Sequence, residues 1–359
     1  LNKLNSKNLS YLFKNNKIIF TFVALFVLFV SYLLLPTFYN QTNVLKKIQT
    51  DLQKKLNLNF EFSKNIKYNL FPKPHFTITN SSILNDQSKI SNIKKIKIFI
   101  ALDNFFALKN IKFKNLILEN ANFQLDKNNS NLFLKLLDKN FKNGNLIIKN
   151  SNIFFRNSVD EVLFINKILN IKYYFDSKEN KNIFYSDNEI FNMPFSMKTF
   201  FNEDKNKILT QININLLKLK IQNELILNSK NKVGQTEFIF NKLKRNVEYQ
   251  IEKNYFNFQI FDKKEQPNIY FKGEFNFKPF YAFLDGDINE INLSYLFSTN
   301  ALITQILKTE IFNNKNIDFK LNIDANNIYK NINFRNIYFN SKIKEGLIDV
   351  DNTKFEWKD

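Results

Sequence analysis

Residues Ile111–Leu125 read IKFKNLILENANFQL. Ile111 and Phe113 are apolar at odd positions, Leu116 and Leu118 at even ones, and Ala121, Phe123 and Leu125 at odd ones again. Alternation with period two puts successive side chains on opposite faces of a strand. A change of phase means that the apolar face flips, here at Asn115 and again near Asn120. Asparagine tolerates the left-handed backbone that a bulge or a tight turn needs. The stretch therefore reads as strand, Asn-centred bulge or turn, and strand again.

The same unit (apolar, any residue, Asn, two of any residue, apolar) recurs at Ile78–Ile83, Phe113–Leu118, Leu118–Phe123, Ile148–Ile153, Phe334–Phe339 and Val350–Phe355. Plain alternation marks further strands at Phe60 and Phe62, Ile96–Ile100, Phe256–Ile260, Phe271–Phe277 and Ile317–Ala325. One apolar and one wet face is the pattern of antiparallel sheets. Units in series predict a long, repetitively built sheet, so the chain is expected to be mainly β. Short helices are expected at Asn131–Asp138 and Asp160–Leu169. A longer one is expected at Leu293–Phe312, where Leu296, Ile303, Leu307 and Ile311 share a face. That helix would pack across the sheet or close one end of it. Polar breaks near Ser177–Lys181, Asn202–Asn206 and Asn228–Gly234 read as hairpin loops.

Ahead of the β-patterned body stands Ile18–Leu35, IIFTFVALFVLFVSYLLL, a run with no charge and no proline. As a helix it is about 27 Å long, the thickness of a bilayer's hydrocarbon core. Pro36 ends it. Lys3, Lys7, Lys14 and Lys17 precede the run, while only Lys46 and Lys47 follow it closely. The positive-inside rule then keeps the N-terminus in the cytoplasm and the body outside. A cleaved signal peptide has a shorter apolar core and a small-x-small site, which SYLLLPTFYNQ lacks, so the run reads as an uncleaved anchor. Val44, Leu45, Ile48, Leu52 and Leu56 then fall at helical spacing, with lysines on other faces. This amphipathic helix either packs on the first strands or lies on the bilayer surface. The organisation expected is a basic cytoplasmic tail (1–17), a transmembrane helix (18–35), an amphipathic helix (40–57) and a β-rich domain (58–359).

Composition narrows the chemistry. The net charge is +19, but the lysines are scattered and arginine occurs only at Arg156, Arg245 and Arg335. Arginine is the preferred reader of base edges, so nucleic acid is not the expected partner. The abundance of Lys, Asn, Ile and Phe follows A/T-rich codons. Cysteine is absent, which removes disulfides, thiolate metal sites and Cys nucleophiles. The one histidine, His75, follows two prolines and reads as a turn or strand-edge residue. The 5 glycines lie too far apart for a phosphate-cradling loop. Asp285-Gly286-Asp287 and Asp349-Val350-Asp351 read as solvated turns or edges, without the ligand order of a calcium loop. No catalysis, cofactor or metal is expected.

The stretch Lys67–Ile83, KYNLFPKPHFTITNSSI, resembles the N-terminal region of AsmA-like proteins. In that family a single membrane helix and a short amphipathic helix lead into a strand, a Phe-Pro-x-Pro-like turn and an alternating strand. Ile96–Leu125 and Gly144–Asn157 are similar to its next strands, and Phe319–Asp359 to its C-terminal repeat; the middle of the chain resembles it only faintly. The family's glycines are largely replaced by Asn here. The resemblance implies a bacterial inner-membrane protein with its body in the periplasm, linked to outer-membrane assembly and envelope homeostasis. It implies an elongated, curved antiparallel sheet of groove or open-barrel type, which binds or transfers lipid without catalysis. Phospholipid or lipopolysaccharide would be the ligand, inner-membrane lipids the surroundings, and outer-membrane assembly proteins the partners. The apolar side chains Phe256, Phe258, Ile260, Phe275 and Phe277 are the candidate lipid contacts. About 15–18 strands at about 4.8 Å would extend roughly 70–85 Å, too short to cross a periplasm alone. The alternative is a structural or assembly factor whose apolar faces form a closed core and which acts through envelope-protein contacts.

Overall fold

The computed structural model describes residues 17–357 except 86–87, 127–128, 130, 158–159, 203–205, 228–231, 241–242, 252–254, 262–268, 278–279, 293, 295–297, 300, 317 and 345. The basic tail expected over 1–17 thus lies almost wholly outside the described residues. The fold is mainly β, with one long apolar helix near the N-terminus and a few short helices. By their contacts the residues form two compact units. Unit 1 comprises 1–119 and 143–145, and unit 2 comprises 120–142 and 146–359.

Unit 1 opens with α1 (Lys17–Leu34), followed by a single 3₁₀ turn (Leu35–Phe38) with Pro36 near its start. No residue of α1 is buried, and Lys17–Phe38 is long and apolar enough to cross a membrane, with mean hydropathy 2.8. Next comes α2 (Gln41–Leu56). The Asn40 side chain accepts from the Asn43 N–H at its N-terminus, and Asn57 ends it at φ 56°. The stripe Val44, Ile48, Leu52 and Leu56 is buried, so this helix packs on protein, as the first of the two readings had it. Gln49 Nε2 donates to the Phe60 carbonyl at 2.9 Å and ties α2 to β1 (Asn59–Glu61). Both β1 and β2 (Ile66–Asn69) pair antiparallel with β3 (His75–Asn85), which pairs with β4 (Ser88–Ile100). The core beneath α2 is made by Phe60, Ile78, Ile83, Ile93, Ile96 and Ile98, all at most 1% exposed. His75, at the start of β3, is buried on the opposite face, stacked on Phe99, with Nδ1 2.8 Å from the Lys73 carbonyl.

Four of the asparagine units are left-handed kinks inside continuous strands, whereas the unit Val350–Phe355 holds a turn at 351–352 between the strands Leu347–Asp349 and Lys354–Trp357. Asn80 in β3, Asn120 in β5 (Phe113–Leu125), Asn150 in β6 (Leu146–Arg156) and Asn336 in β18 (Asn331–Lys344) have φ between 47° and 55°. At Asn150 the pairing with β7 (Val162–Asp176) passes from Lys149↔Asn170 to Ser151↔Ile168. Asn150 and Leu169 are passed over together, so the register is kept, and the left-handed backbone at Asn150 turns Ile153 to the face already held by Ile148; both are buried. Asn115 departs from the expectation: its φ is negative, and its side chain accepts instead from the Asn145 N–H at 2.9 Å.

In unit 2 the strands run in series. They are β6, β7, β8 (Lys181–Ile190), β9 (Met193–Asn202), β10 (Lys207–Ile214), β11 (Leu219–Ile226), β12 (Lys232–Phe240), β13 (Leu243–Ile251), β14 (Tyr255–Phe261), β15 (Ile269–Phe277) and β16 (Phe280–Ile291). Each pairs antiparallel with the next. Then β17 (Asp318–Ile328) joins β16 in parallel, and β18 pairs with β17 and with the short β19 (Leu347–Asp349) and β20 (Lys354–Trp357). Among the described residues nothing pairs the first strand of this unit with the last, so its sheet is open.

One helix expectation is corrected and another is described only in part. Asp160–Leu169 is not helical: from Val162 it is the start of β7, held to β6 by a ladder that includes facing Phe155 and Phe164 rings 4.5 Å apart. Cross-strand pairing outweighs the local helical spacing there. Within Leu293–Phe312, residue Ser294 is helical, 293, 295–297 and 300 lie outside the described residues, and α4 (Leu302–Leu307) follows, after a short α3 (Leu132–Lys135) earlier in the chain; a 3₁₀ turn stands at Ile311–Asn313. A parallel pair requires a crossover, and residues 292–317 supply it. Asn314 Nδ2 donates to the Leu163 carbonyl at 2.9 Å, Asn316 Nδ2 to that of Val162 at 3.2 Å, and the Glu310 N–H to that of Phe191 at 3.4 Å. The crossover therefore lies against the ends of β7, β8 and β9. Asp285-Gly286-Asp287 is also corrected, since it sits in mid-strand in β16 and not in a turn.

Candidate functional site

Pairing partners share a face, so the register traces one face of unit 2 strand by strand. One row across β9 to β12 is Met197↔Ile212↔Ile221↔Phe238. A second row runs from Phe201 and Ile208 through Leu225 and Gly234 to Tyr249, Phe258, Gly273 and Leu284. On β17 and β18 the face continues with Leu321, Ile323, Ala325, Phe339 and Ile337. The opposite face carries Gln211, Gln222, Glu237 and Asn246 in register, and Glu224, Gln235, Glu248, Gln259 and Lys272 in the next row. The first face is mostly apolar, with Arg245 at the end of the first row, and the second is mostly wet, with Phe200 and Leu209 in register with Glu224.

The candidate contacts fall in this frame as follows. Phe256 and Phe258 alternate on β14 and are half-buried, with ring centroids 5.8 Å apart. Tyr249 on β13 stands 4.8 Å from Phe256. Register sets Phe256 opposite Phe275, Phe258 opposite Gly273, and Ile260 between Val247 and Phe271. Among the described residues Phe277 has no partner on β14, and it pairs with Phe280 in the β15–β16 ladder. Four of the five positions are thus adjacent on two paired strands, and Phe277 lies at their end.

Alternation alone missed two features of the face. The first is aromatic rings laid over glycines. A Cβ placed on Gly273 would lie 2.0 Å from the Phe258 ring, one on Gly234 2.1 Å from the Tyr249 ring, and one on Gly286 2.2 Å from the Phe271 ring. Each ring covers the neighbouring strand where no side chain stands, which keeps the apolar surface low. Gly273→Ala is expected to force the Phe258 ring upright and to cost about 1–3 kcal/mol of stability, the usual range for overpacking. In a Phe258→Ala background the same change should be nearly silent; denaturant midpoints of the four combinations test this.

The second feature is a polar rung inside the apolar face: Thr199↔Thr210↔Asn223↔Thr236. Thr199 Oγ1 donates to Thr210 Oγ1 at 3.1 Å, and Asn223 Oδ1 accepts from Thr236 Oγ1 at 2.8 Å and from the Tyr249 hydroxyl at 2.7 Å. Burial pushes the Tyr249 hydroxyl pKa up, so it remains a donor at neutral pH. Thr199 and Thr236 are buried, and pairing removes the cost of burying them. The only sequence signal was a polar residue at an apolar phase, which becomes visible only once four strands are in register.

The wet side offers less. A hollow of about 540 Å³ is lined on that face by Gln211, Gln222, Glu224, Glu237 and Glu248. Lys207 and Lys244 neutralise Glu224 and Glu237. Asp324 has its carboxyl pushed up by burial and then by Asp285 and Asp287. Among the described residues no group of three or more His, Cys, Asp or Glu side chains could hold a metal ion. In unit 1 a cavity of about 950 Å³ is lined by Lys47, Lys54, Lys55, Lys109 and Lys112 with Asp51 and Asp103. Lys47 and Lys112 are paired to those two acids. Chemically, the apolar face can take hydrocarbon, while the two hollows have mixed linings, with Leu52, Ile111 and Phe113 in that of unit 1 and Phe200, Leu209 and Val247 in that of the wet side. No protein-family model matches the chain, and no curated protein matches it.

Proposed function

We propose that this chain is an anchored, non-catalytic, lipid-handling protein of the AsmA-like kind. In this reading α1 spans a bacterial inner membrane with the N-terminus in the cytoplasm, and the body stands in the periplasm. Acyl chains of phospholipid or lipopolysaccharide lie on the apolar face of unit 2. The work done is support of outer-membrane biogenesis and envelope homeostasis, alongside outer-membrane assembly proteins. The observation that supports it is the set of apolar rows on one face of an open sheet, in a chain whose N-terminal helix is long and apolar enough to cross a membrane.

A scaffold with a closed core is the second reading. It is favoured by the fully packed cluster Ile291, Ala325 and Ile337 and by the crossover against the strand ends. A photoreactive phenylalanine analogue at Phe258 or Phe238, in the full chain in native membranes, separates the two. Lipid adducts at both positions and none at exposed Gln259 are expected. Illumination that yields no lipid adduct at either aromatic position would leave the scaffold reading.

A further inference from the structure

The last turn of α1 and the turn after it are bolted to the loop at 102–105 and to β2 by tyrosine hydroxyls. The Tyr32 hydroxyl donates to the Leu102 carbonyl at 3.0 Å and accepts from the N–H groups of Asn104 and Phe105 at 2.8 and 3.0 Å. The Tyr39 hydroxyl donates to the Phe105 carbonyl, and the Tyr68 hydroxyl to the Leu33 carbonyl at 2.6 Å. The Tyr32 ring stacks on Phe105 at 5.2 Å and meets Phe106 at 5.3 Å. Burial, with Tyr39 beside it, pushes the Tyr68 hydroxyl up to about 12, so this bolt stays protonated.

Around the bolts, large apolar side chains point away from the protein. Phe38 is 84% exposed, Phe71 85%, Phe106 79% and Leu102 52%, whereas their neighbours Phe105 and Phe76 are buried. Four such residues beside one helix end are not the single scattered hydrophobes of an ordinary surface. The backbone polar groups of Leu102, Asn104 and Phe105 that would be costly in a water-poor layer are the ones the tyrosines pair. Exposed lysines, Lys73 and Lys109, follow Phe71 and Phe106 in the chain.

We propose that Phe38, Phe71, Leu102 and Phe106 form a foot that enters the same bilayer as α1, seating unit 1 on the membrane instead of leaving it on a free tether. The bilayer is the occupant because the patch is level with the last turn of a helix that buries none of its apolar residues against protein. Tyrosines in that turn match the aromatic belt of membrane interfaces, and Lys73 and Lys109 can reach headgroups from it.

The inference rests on α1 being an anchor, so the test reads both. The chain has no cysteine, which lets Phe71→Cys and Phe106→Cys each carry one environment-sensitive fluorophore. Lys89→Cys serves as reference. It is exposed and pairs with Leu84, nine residues or about 30 Å along β3 from His75, the end of the strand nearer Phe71. The labelled full-length variants are reconstituted into phosphatidylcholine–phosphatidylglycerol vesicles and floated. Flotation with blue-shifted emission at 71 and 106, and loss of most of it to nitroxide-labelled lipid, is expected, with water-like emission at 89. Flotation with water-like emission at 71 or 106 overturns the foot alone. Failure to float overturns the anchor, and the foot with it. Both labelled positions are highly exposed in the protein, so neither substitution removes a core contact.

Discussion

Ile48→Asp is expected to unfold unit 1. Ile48 is 0% exposed in the middle of the buried stripe of α2, between Val44 and Leu52. Removing its side chain forfeits about 2–5 kcal/mol in transfer and cavity terms. The carboxylate adds an unpaired charge in a site built from isoleucines and phenylalanines, and must either pay for burial or take up a proton. Small domains hold a total of about 5–15 kcal/mol, so little or nothing remains. Two companions give the claim its shape. Ile48→Val should cost about 0.5–1.5 kcal/mol. Thr50→Asp, on the exposed side of the same helix, should stay within about 0.5 kcal/mol. Limited proteolysis and thermal melts of the three variants check the order. An Ile48→Asp protein that melts like its parent would mean that the stripe is not the seam between helix and sheet.

The second large effect concerns α1. Its sequence contains thirteen Leu, Ile, Phe and Val residues. Each favours insertion by about 0.3–0.6 kcal/mol at the centre of a span, which sums to about 4–8 kcal/mol. Leu25→Arg with Leu28→Arg places two charges near the middle, at about 2.5–3.5 kcal/mol each, and removes two favourable residues. The balance turns against insertion, so most of the double variant is expected in the alkali-extractable fraction, while Leu25→Ile with Leu28→Ile stays with the membrane pellet. Retention of the doubly charged variant in the pellet would show that something other than α1 holds the chain.

The local features were legible because their physics is local. Period two along Phe256–Ile260 and Ile317–Ala325 marks strands whatever they pair with, and the phase changes at Asn80, Asn120, Asn150 and Asn336 mark left-handed kinks because few other residues accept that backbone. The stripe of α2 was equally plain, yet only packing chose between protein and lipid for it. Where local spacing and pairing disagreed, as at Val162–Leu169, pairing prevailed. A run of apolar residues carries no statement of which neighbour it will meet.

By itself the sequence determined the class, the anchor-like helix and the residues that line the apolar face. Each follows from a period, a length or a composition read within a few residues. Only the tertiary structure decided who faces whom. Phe258 lies over Gly273, Thr236 and Tyr249 converge on Asn223, and Asn314 reaches Leu163 across 151 residues. Tyr32 finds Leu102 at a separation of 70. Those pairs depend on hairpin register and on where a crossover returns, which alternation leaves open: a side chain's phase states its face, and never the strand that will stand beside it.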